Sequence, residues 1–527
     1  MAQRAQQITK PLFAAGLAAA GFLAALSLGS LVIVALNSEG VSGLRSSDWA
    51  ALRFTVSQAL VSALLSVLLA IPVARALARR QFPGRGFLIT LLGAPFILPV
   101  IVAVLGLLAI YGRAGIVSQV LGSLGLPALS IYGFPGVVLA HVFFNLPLAT
   151  RLLLQGWQSI PAEHFRLAAQ LGMDTGDIAR HLERPMLRAI VPGAFATVFL
   201  LCVTSFAVAL TLGGGPKATT IELAIYQAFR FDFDLSKAAL LAVIQFGLCT
   251  IAALVAWRLA VPSGFGAGFD RQVRRWDNRG RASLMFDAAV LGLVTLFLLA
   301  PLAMIALKGI AGLSEMPAAV GPAAVRSLSV AFASAMLTLV LAISLAVSVV
   351  RLERMRSRMA GGLEAIGYLS IAASPMVIGT GLFLLLFPLI DPASLALPIT
   401  ALVNAAMSLP FALRSLLPAI RDVEQNYGAL SESLGMGGWP YLRLVLWPRI
   451  RPAAGFSAGL AAALSMGDLG VVALFADPEA ATLPLLLYRL MGSYQMAAAN
   501  GAALVLVGLS LALFWAFDRG GRMHAAV

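Results

Sequence analysis

The sequence predicts an all-α, polytopic membrane protein with about 12 transmembrane helices in two tandem, parallel repeats, on three observations. First, 60% of the 527 residues are hydrophobic and 11% are charged, with a mean hydropathy of +0.92, whereas soluble domains are roughly 45–50% apolar. Second, the apolar residues come in continuous runs of about 20, enough to span ~30 Å of hydrocarbon at ~1.5 Å per residue. Third, the chain matches itself at a shift of 263 residues. Continuous runs favour helices over barrel strands, which would alternate at every second residue.

The runs lie near residues 12–36, 54–74, 87–111, 134–154, 189–213, 238–260, 284–307, 327–350, 363–387, 394–413, 453–476 and 496–517. The first is longer than the apolar core of a secretion signal and lacks a cleavage pattern, so it is expected to stay as an anchor. Of the 37 Lys and Arg, 28 fall on one side of the predicted topology and 9 on the other. The basic side holds the N-terminus, the loops near 75–86, 151–188, 258–281, 351–362 and 414–451, and the C-terminus. Basic loops stay in the cytoplasm, so both termini are expected there. Topology and anionic lipid account for the formal net charge of +14 without nucleic acid.

Residues 145–188 align with 408–451 without a gap, with 13 identities in 44 pairs, among them Pro147/Pro410, Gly172/Gly435, Pro185/Pro448 and Arg188/Arg451. Upstream, 55–74 matches 327–346 at a shift of 272. Six spans per repeat start both on the same side, which relates the repeats by an axis along the membrane normal. The domains read from this are 1–261, a basic cytoplasmic linker 262–283, and 284–527.

Each repeat carries a polar interruption in its longest cytoplasmic loop, Leu167-Ala-Ala-Gln-Leu-Gly-Met173 and Leu430-Ser-Glu-Ser-Leu-Gly-Met436. Phe165, Ala168, Leu171 and Gly172 recur at helical spacing, which predicts a short helix on the membrane surface with one apolar face, stopped at the glycine. Thirteen residues after each glycine comes Pro185 or Pro448. This pattern resembles the cytoplasmic signature of ATP-binding-cassette importer permeases. The resemblance implies a type I importer-like fold, with coupling helices at about 161–175 and 424–438 that dock on a cytoplasmic ATPase dimer. It points to Ala168, Ala169, Leu171, Gly172, Met173 and Pro185 in the first repeat, and to Leu434, Gly435, Met436 and Pro448 in the second. The sequence departs from the signature at Arg166 and Ala429, where the family favours glutamate, and at Arg184 and Trp447, where it favours leucine.

Longer stretches, including Leu98–Arg113, Leu139–Pro147, Gly213–Gln227 and Gly467–Phe475, resemble the permeases of thiamine importers over most of the chain. That likeness implies import of thiamine, and of its phosphates, received from a periplasmic substrate-binding protein. Permeases for ferric iron look similar and are the alternative cargo class.

A charge within a span is a functional suspect. Asp468 is therefore a substrate-path candidate, with its neutral repeat counterpart Ser205, Asn145 and Asn404. Holding the Gly467–Gly470 bend is the structural alternative for Asp468, and interhelical hydrogen bonding for the asparagines. Two segments too short to cross, Thr220–Phe229 and Thr482–Met491, are expected to lie at the outer face. There Glu222, Arg230, Asp232, Asp234 and Arg489 are expected to meet the binding protein, and Tyr226 and Tyr488 are outer-face candidates for stacking on a cationic ring, with interfacial anchoring as their commoner use.

No catalytic set or metal-ligand spacing is present, and Cys202 and Cys249 fall inside apolar runs. The phosphate-loop lookalike Leu212–Thr220 lacks the Gly-Lys-Ser/Thr order. The chain is therefore expected to be no enzyme and to bind no cofactor, with ATP and Mg in the partner ATPase. A secondary transporter shares the twofold design and is the rival mechanism, with Asp468 as its one obvious buried acid.

Overall fold

The computed structural model describes residues 10–38, 44–213, 215–259, 280–475 and 480–523. Every regular element among them is helical. The basic linker expected over 262–283 lies outside the described residues as far as 279.

In chain order the helices that matter below are α1 (Phe13–Leu36), α2 (Ser46–Arg79), α3 (Val100–Tyr111), α4 (Phe134–Ser159), α5 (Ala162–Gln170), α6 (Arg184–Val203), α7 (Ile221–Arg230) and α8 (Leu235–Leu259). The second repeat supplies α9 (Arg281–Gly312), α10 (Val320–Arg354), α11 (Met359–Ala372), α12 (Pro375–Leu386), α13 (Ala396–Ser433), α14 (Trp447–Met466), α15 (Gly470–Phe475), α16 (Leu483–Gly492) and α17 (Met496–Arg522). Among the described residues, eleven helical segments are long and apolar enough to cross a membrane, and a twelfth arises if α11 and α12, bent by 86°, count as one. This is a multi-pass membrane protein.

Proline decides where the expected spans break. The third span of each repeat is interrupted just before Pro99 or Pro375, where the ring bars the preceding residue from helical backbone. Ser374 is extended there (φ −59°, ψ 157°), and its hydroxyl accepts the Val377 N–H to start α12. In the fourth span Ile160 precedes Pro161 and turns extended (ψ 121°), so α4 stops at Ser159 and α5 begins as a separate helix. At the repeat shift Pro161 becomes Glu424. With no proline at that point, α13 runs on for 38 residues and carries Pro410 and Pro418 within it, about 57 Å in all.

The helices form two compact units. One holds residues 1–43, 225–247 and 316–527, and the other holds 44–224 and 248–315. In the first, α1 packs on α10 and α12, with Gly381 against Ser30 so closely that a Cβ would overlap its backbone. In the second, α9 packs on α2 and α3. A Cβ on Gly106 would lie 2.7 Å from the Pro301 carbonyl. Glycine at such crossings lets helix backbones approach where lipid gives no hydrophobic drive. The opening span of each sequence repeat is thus housed in the unit built mostly from the other repeat.

One end of α9 is fixed electrostatically. Asp287, 2% exposed, accepts from Arg79 Nε at 2.7 Å and from Arg80 Nε at 2.6 Å, with a second contact from Arg79 Nη2. Arg80 also donates to Ser283 Oγ. One carboxylate between two guanidinium forks has its lone pairs filled, which is what makes a charge tolerable at this depth.

Candidate functional site

Both Leu-Gly-Met triplets close their helices with the same turn. In the first, the Gly172 N–H donates to the Ala169 carbonyl and the Met173 N–H to Ala168; in the second, Gly435 donates to Glu432 and Met436 to Ser431. This paired pattern is the Schellman motif, whose reversal residue must be left-handed. Gly172 and Gly435 sit at φ +64° and +66°, and a Cβ on either would meet nothing within 4 Å.

The exposed apolar surface lies beside these turns. Phe165 and Ala168 are buried at 3%, whereas Leu167 and Leu171 are 54% and 63% exposed. Leu171 therefore leaves the buried face on which the spacing had put it and pairs outward with Leu167, four residues earlier. Leu430 and Leu434 repeat the arrangement, 56% and 65% exposed. Ala169, Gly172, Gly435, Pro185 and Pro448 are also exposed, and Met173 and Met436 are half-buried.

Each turn leads into a widened segment of π-helix, Ala179–Glu183 or Tyr441–Leu446, directly before Arg184-Pro185 or Trp447-Pro448. A proline cannot donate to, and collides with, the carbonyl one turn back. Widening opens that turn and lets the helix run through it.

The two segments are rooted differently. Glu183, buried, forms an ion pair with Arg75 of α2, Nε to carboxylate 2.8 Å, and accepts the Trp157 indole N–H of α4 at 3.3 Å. In the second repeat Arg354, ending α10, donates to Glu424 at 2.7 Å and to Glu432 at 2.8 Å. The Tyr441 hydroxyl donates to Glu424 at 2.6 Å. Arg421 bridges Glu353 and Glu364, and the Arg449 guanidinium lies 3.8 Å above the Tyr427 ring. Glu432 is thereby committed to an internal ion pair.

Deeper in the spans, polar side chains fall at repeat-equivalent places. The Asn404 amide donates to Ser465 Oγ at 3.0 Å. At the repeat shift those positions are His141 and Cys202, where the Asn145 amide donates to the His141 carbonyl at 2.9 Å and to Cys202 Sγ at 3.4 Å. These contacts join spans four and five of each repeat. Ser205 and Asp468 both mark the point where span five breaks its helix. Asp468 Oδ1 accepts the Gly470 N–H at 3.1 Å, opening α15, so the bend-holding contact is present. Its buried Oδ2 meets no donor at full hydrogen-bonding geometry, although the Asn404 amide and the Val471 and Val472 N–H groups lie close enough to act on the carboxylate.

At the opposite end of the spans, α7 and α16 are both ten residues long and are pinned alike. Thr55 Oγ1 accepts the Ile221 N–H at 2.9 Å, and Ser327 Oγ, its repeat counterpart, accepts the Leu483 N–H at 2.8 Å. Two of the outer-face candidates are not at the surface. Glu222 is 0% and Tyr226 8% exposed, because this short helix is enclosed on almost every side, with Ile221, Leu223, Ile225 and Phe229 buried as well and only Arg230 exposed. Tyr488 and Arg489 are half-buried. Burial raises both tyrosine pKa values, opposed at Tyr226 by the charges of Arg230 and Arg489 and reinforced at Tyr488 by Tyr226, so both phenols stay neutral.

No family model matches the chain. Curated relatives do, end to end. The chain is 42% identical over 527 residues to the thiamine transport system permease protein ThiP of Brucella abortus, spanning 98% of this chain and 96% of that protein. Against the proteins of the same name from Salmonella typhimurium and Escherichia coli it is 40% identical, over 100% and 98% of its length. The chain belongs to the thiamine transport system permease family.

In this permease Leu167 and Leu430 are parts of the exposed turn surface that sequence reasoning did not single out. Their identity across the repeat, at Leu167/Leu430 as at Leu171/Leu434, was the available signal. Arg75, Glu183, Arg354 and Glu424 were also passed over. They root the turns through partners 70 or more residues away, which no local pattern can reveal.

Proposed function

We propose that this permease is the inner-membrane translocation subunit of an ATP-driven importer of thiamine and its phosphates. Cargo arrives on a periplasmic substrate-binding protein. Energy comes from a cytoplasmic ATPase dimer that holds the ATP and Mg; this chain carries no ATPase site and binds no cofactor of its own. Both termini are cytoplasmic.

The observation that carries the reading is the duplicated turn. Two identical Leu-Gly-Met reversals, each with an outward leucine pair one helical turn apart, sit in equivalent loops of the two repeats. An apolar pair on a short helix end is a natural knob for a hydrophobic cleft, and two knobs suit a dimeric motor. Force on the first turn passes through Glu183 to Arg75 on α2 and Trp157 on α4. Force on the second passes directly along α13 and through Arg354 to α10.

The experiment is uptake of labelled thiamine by proteoliposomes containing the permease with its ATPase and binding protein. Accumulation should require all three proteins and ATP. Accumulation driven by an ion gradient with the permease alone would overturn the reading in favour of a secondary transporter.

A further inference from the structure

The cytoplasmic turns reverse the chain on glycine. The two turns at the opposite end of the spans do so on aromatics. Phe233, after α7, has φ +51°, and Tyr494, after α16, has φ +60°. A bulky side chain in this left-handed region is strained and is rarely found there. Only one other non-glycine residue, Arg356, shares it among the described residues. Phe233 and Tyr494 occupy corresponding turns, each between a short helix and the last span of its repeat.

Both turns are locked. The Asp234 N–H donates to the Ala228 carbonyl at 3.0 Å, the Gln495 N–H to Leu490 at 2.9 Å and the Met496 N–H to Tyr494 at 2.9 Å. Yet the side chains held at this strain contribute little to the packing. Phe233 is 81% and Tyr494 91% exposed, and neighbouring Phe231 is 67% exposed. Tyr226 meets Phe231 edge-on at 5.8 Å, and both turns belong to the same compact unit. Glycine would relieve the strain in each turn, and a polar side chain would suit water better. The sequence has neither.

We propose that Phe233 and Tyr494 are paired docking points for the soluble cargo-binding protein, an inference that rests on the importer reading above. Aromatic rings are the usual anchors of protein interfaces, and a turn already locked loses little freedom when it binds. Charge selects the occupant. Asp232 and Asp234 flank Phe233, and Asp234 also caps the Lys237 N–H at 2.9 Å. With Arg230 and Lys237 on the same turn the rim carries both signs, which offers an anionic headgroup layer no net attraction, while the two carboxylates nearest the ring can pair with Lys or Arg on the polar rim of a soluble protein. The surface is therefore a protein-docking surface rather than a lipid anchor.

The test uses the full permease–ATPase complex in nanodiscs and the thiamine-loaded binding protein as probe. The variant is Phe233→Gly with Tyr494→Gly, which removes both rings while easing both turns, so thermal stability should hold or rise. Affinity for the binding protein should drop tenfold or more, with binding-protein-independent ATPase activity unchanged. Asp232→Asn alone should slow association and flatten its dependence on salt. Unchanged affinity in the double glycine variant overturns the docking assignment. So does a variant that keeps its affinity but loses stability only in lipid, the signature of membrane anchoring. If the wild-type complex itself fails to bind the loaded protein, the importer reading falls and takes this inference with it.

Discussion

At Gly172 and Gly435 one backbone angle connects sequence to mechanism. A Cβ at either position meets no atom within 4 Å, so the internal cost of Gly→Ala is the left-handed strain alone, about 1–2 kcal/mol. Both alanine variants should insert and fold, with only a small drop in thermal midpoint. Gly435→Leu should additionally separate ATP hydrolysis from thiamine uptake in proteoliposomes, because the bulk projects toward the proposed partner. Retention of wild-type coupling by the leucine variant would count against seating at this turn. Asp468 has a cleaner substitution. Asp468→Asn keeps an oxygen for the Gly470 N–H, removes the charge and turns the second oxygen into an amide donor. Thiamine uptake should fall several-fold while the ATPase still responds to the binding protein. Uptake kinetics that do not move would leave Asp468 as a helix cap. Of these residues, the glycines were legible because a left-handed stop has a signature in the letters themselves. The burial of Asp468 Oδ2 was not, because it depends on which helices crowd it.

Among the elements, the two coupling segments differ through one letter, Pro161 against Glu424. The first is a short helix hinged on its span, and the second is the end of α13. Pro161→Ala should let α4 run into α5. Spin labels at Ser159 and Gln170, both exposed, should then report a narrow distribution centred at the helical separation of about 17 Å. A distribution unchanged from the native one would show that Pro161 is not what breaks the helix. The expected spans at 394–413 and the separate helix at 424–438 merge for the same reason. Hydropathy falls where the chain leaves the lipid, but polarity does not end a helix. Only a proline, a glycine or a competing cap does so.

For the molecule as a whole, the exchanged position of α9 depends on the Arg79–Asp287–Arg80 cluster. Both side chains of the Arg79–Asp287 pair are nearly inaccessible, at 4% and 3%, so removing the acid strips the buried Arg79 and the partly buried Arg80 of the carboxylate they share. Asp287→Ala should therefore destabilise the fold by about 3–5 kcal/mol. Thermal unfolding of the purified permease would show it, and an unchanged midpoint would mean that helix packing alone fixes α9.

The sequence by itself determined the membrane class, the number of spans to within one bent pair, the internal repeat and the two glycine-ended turns. Each is written in composition, in periodicity or in a few adjacent residues. Tertiary structure alone decided that α1 and α9 join the unit built mostly from the other repeat, that Glu222 and Tyr226 are buried, and that Glu183 and Glu424 anchor the turns. Those outcomes depend on contacts between residues far apart in the chain. Which surfaces come together is fixed by packing and charge pairing in three dimensions, and no local pattern carries it.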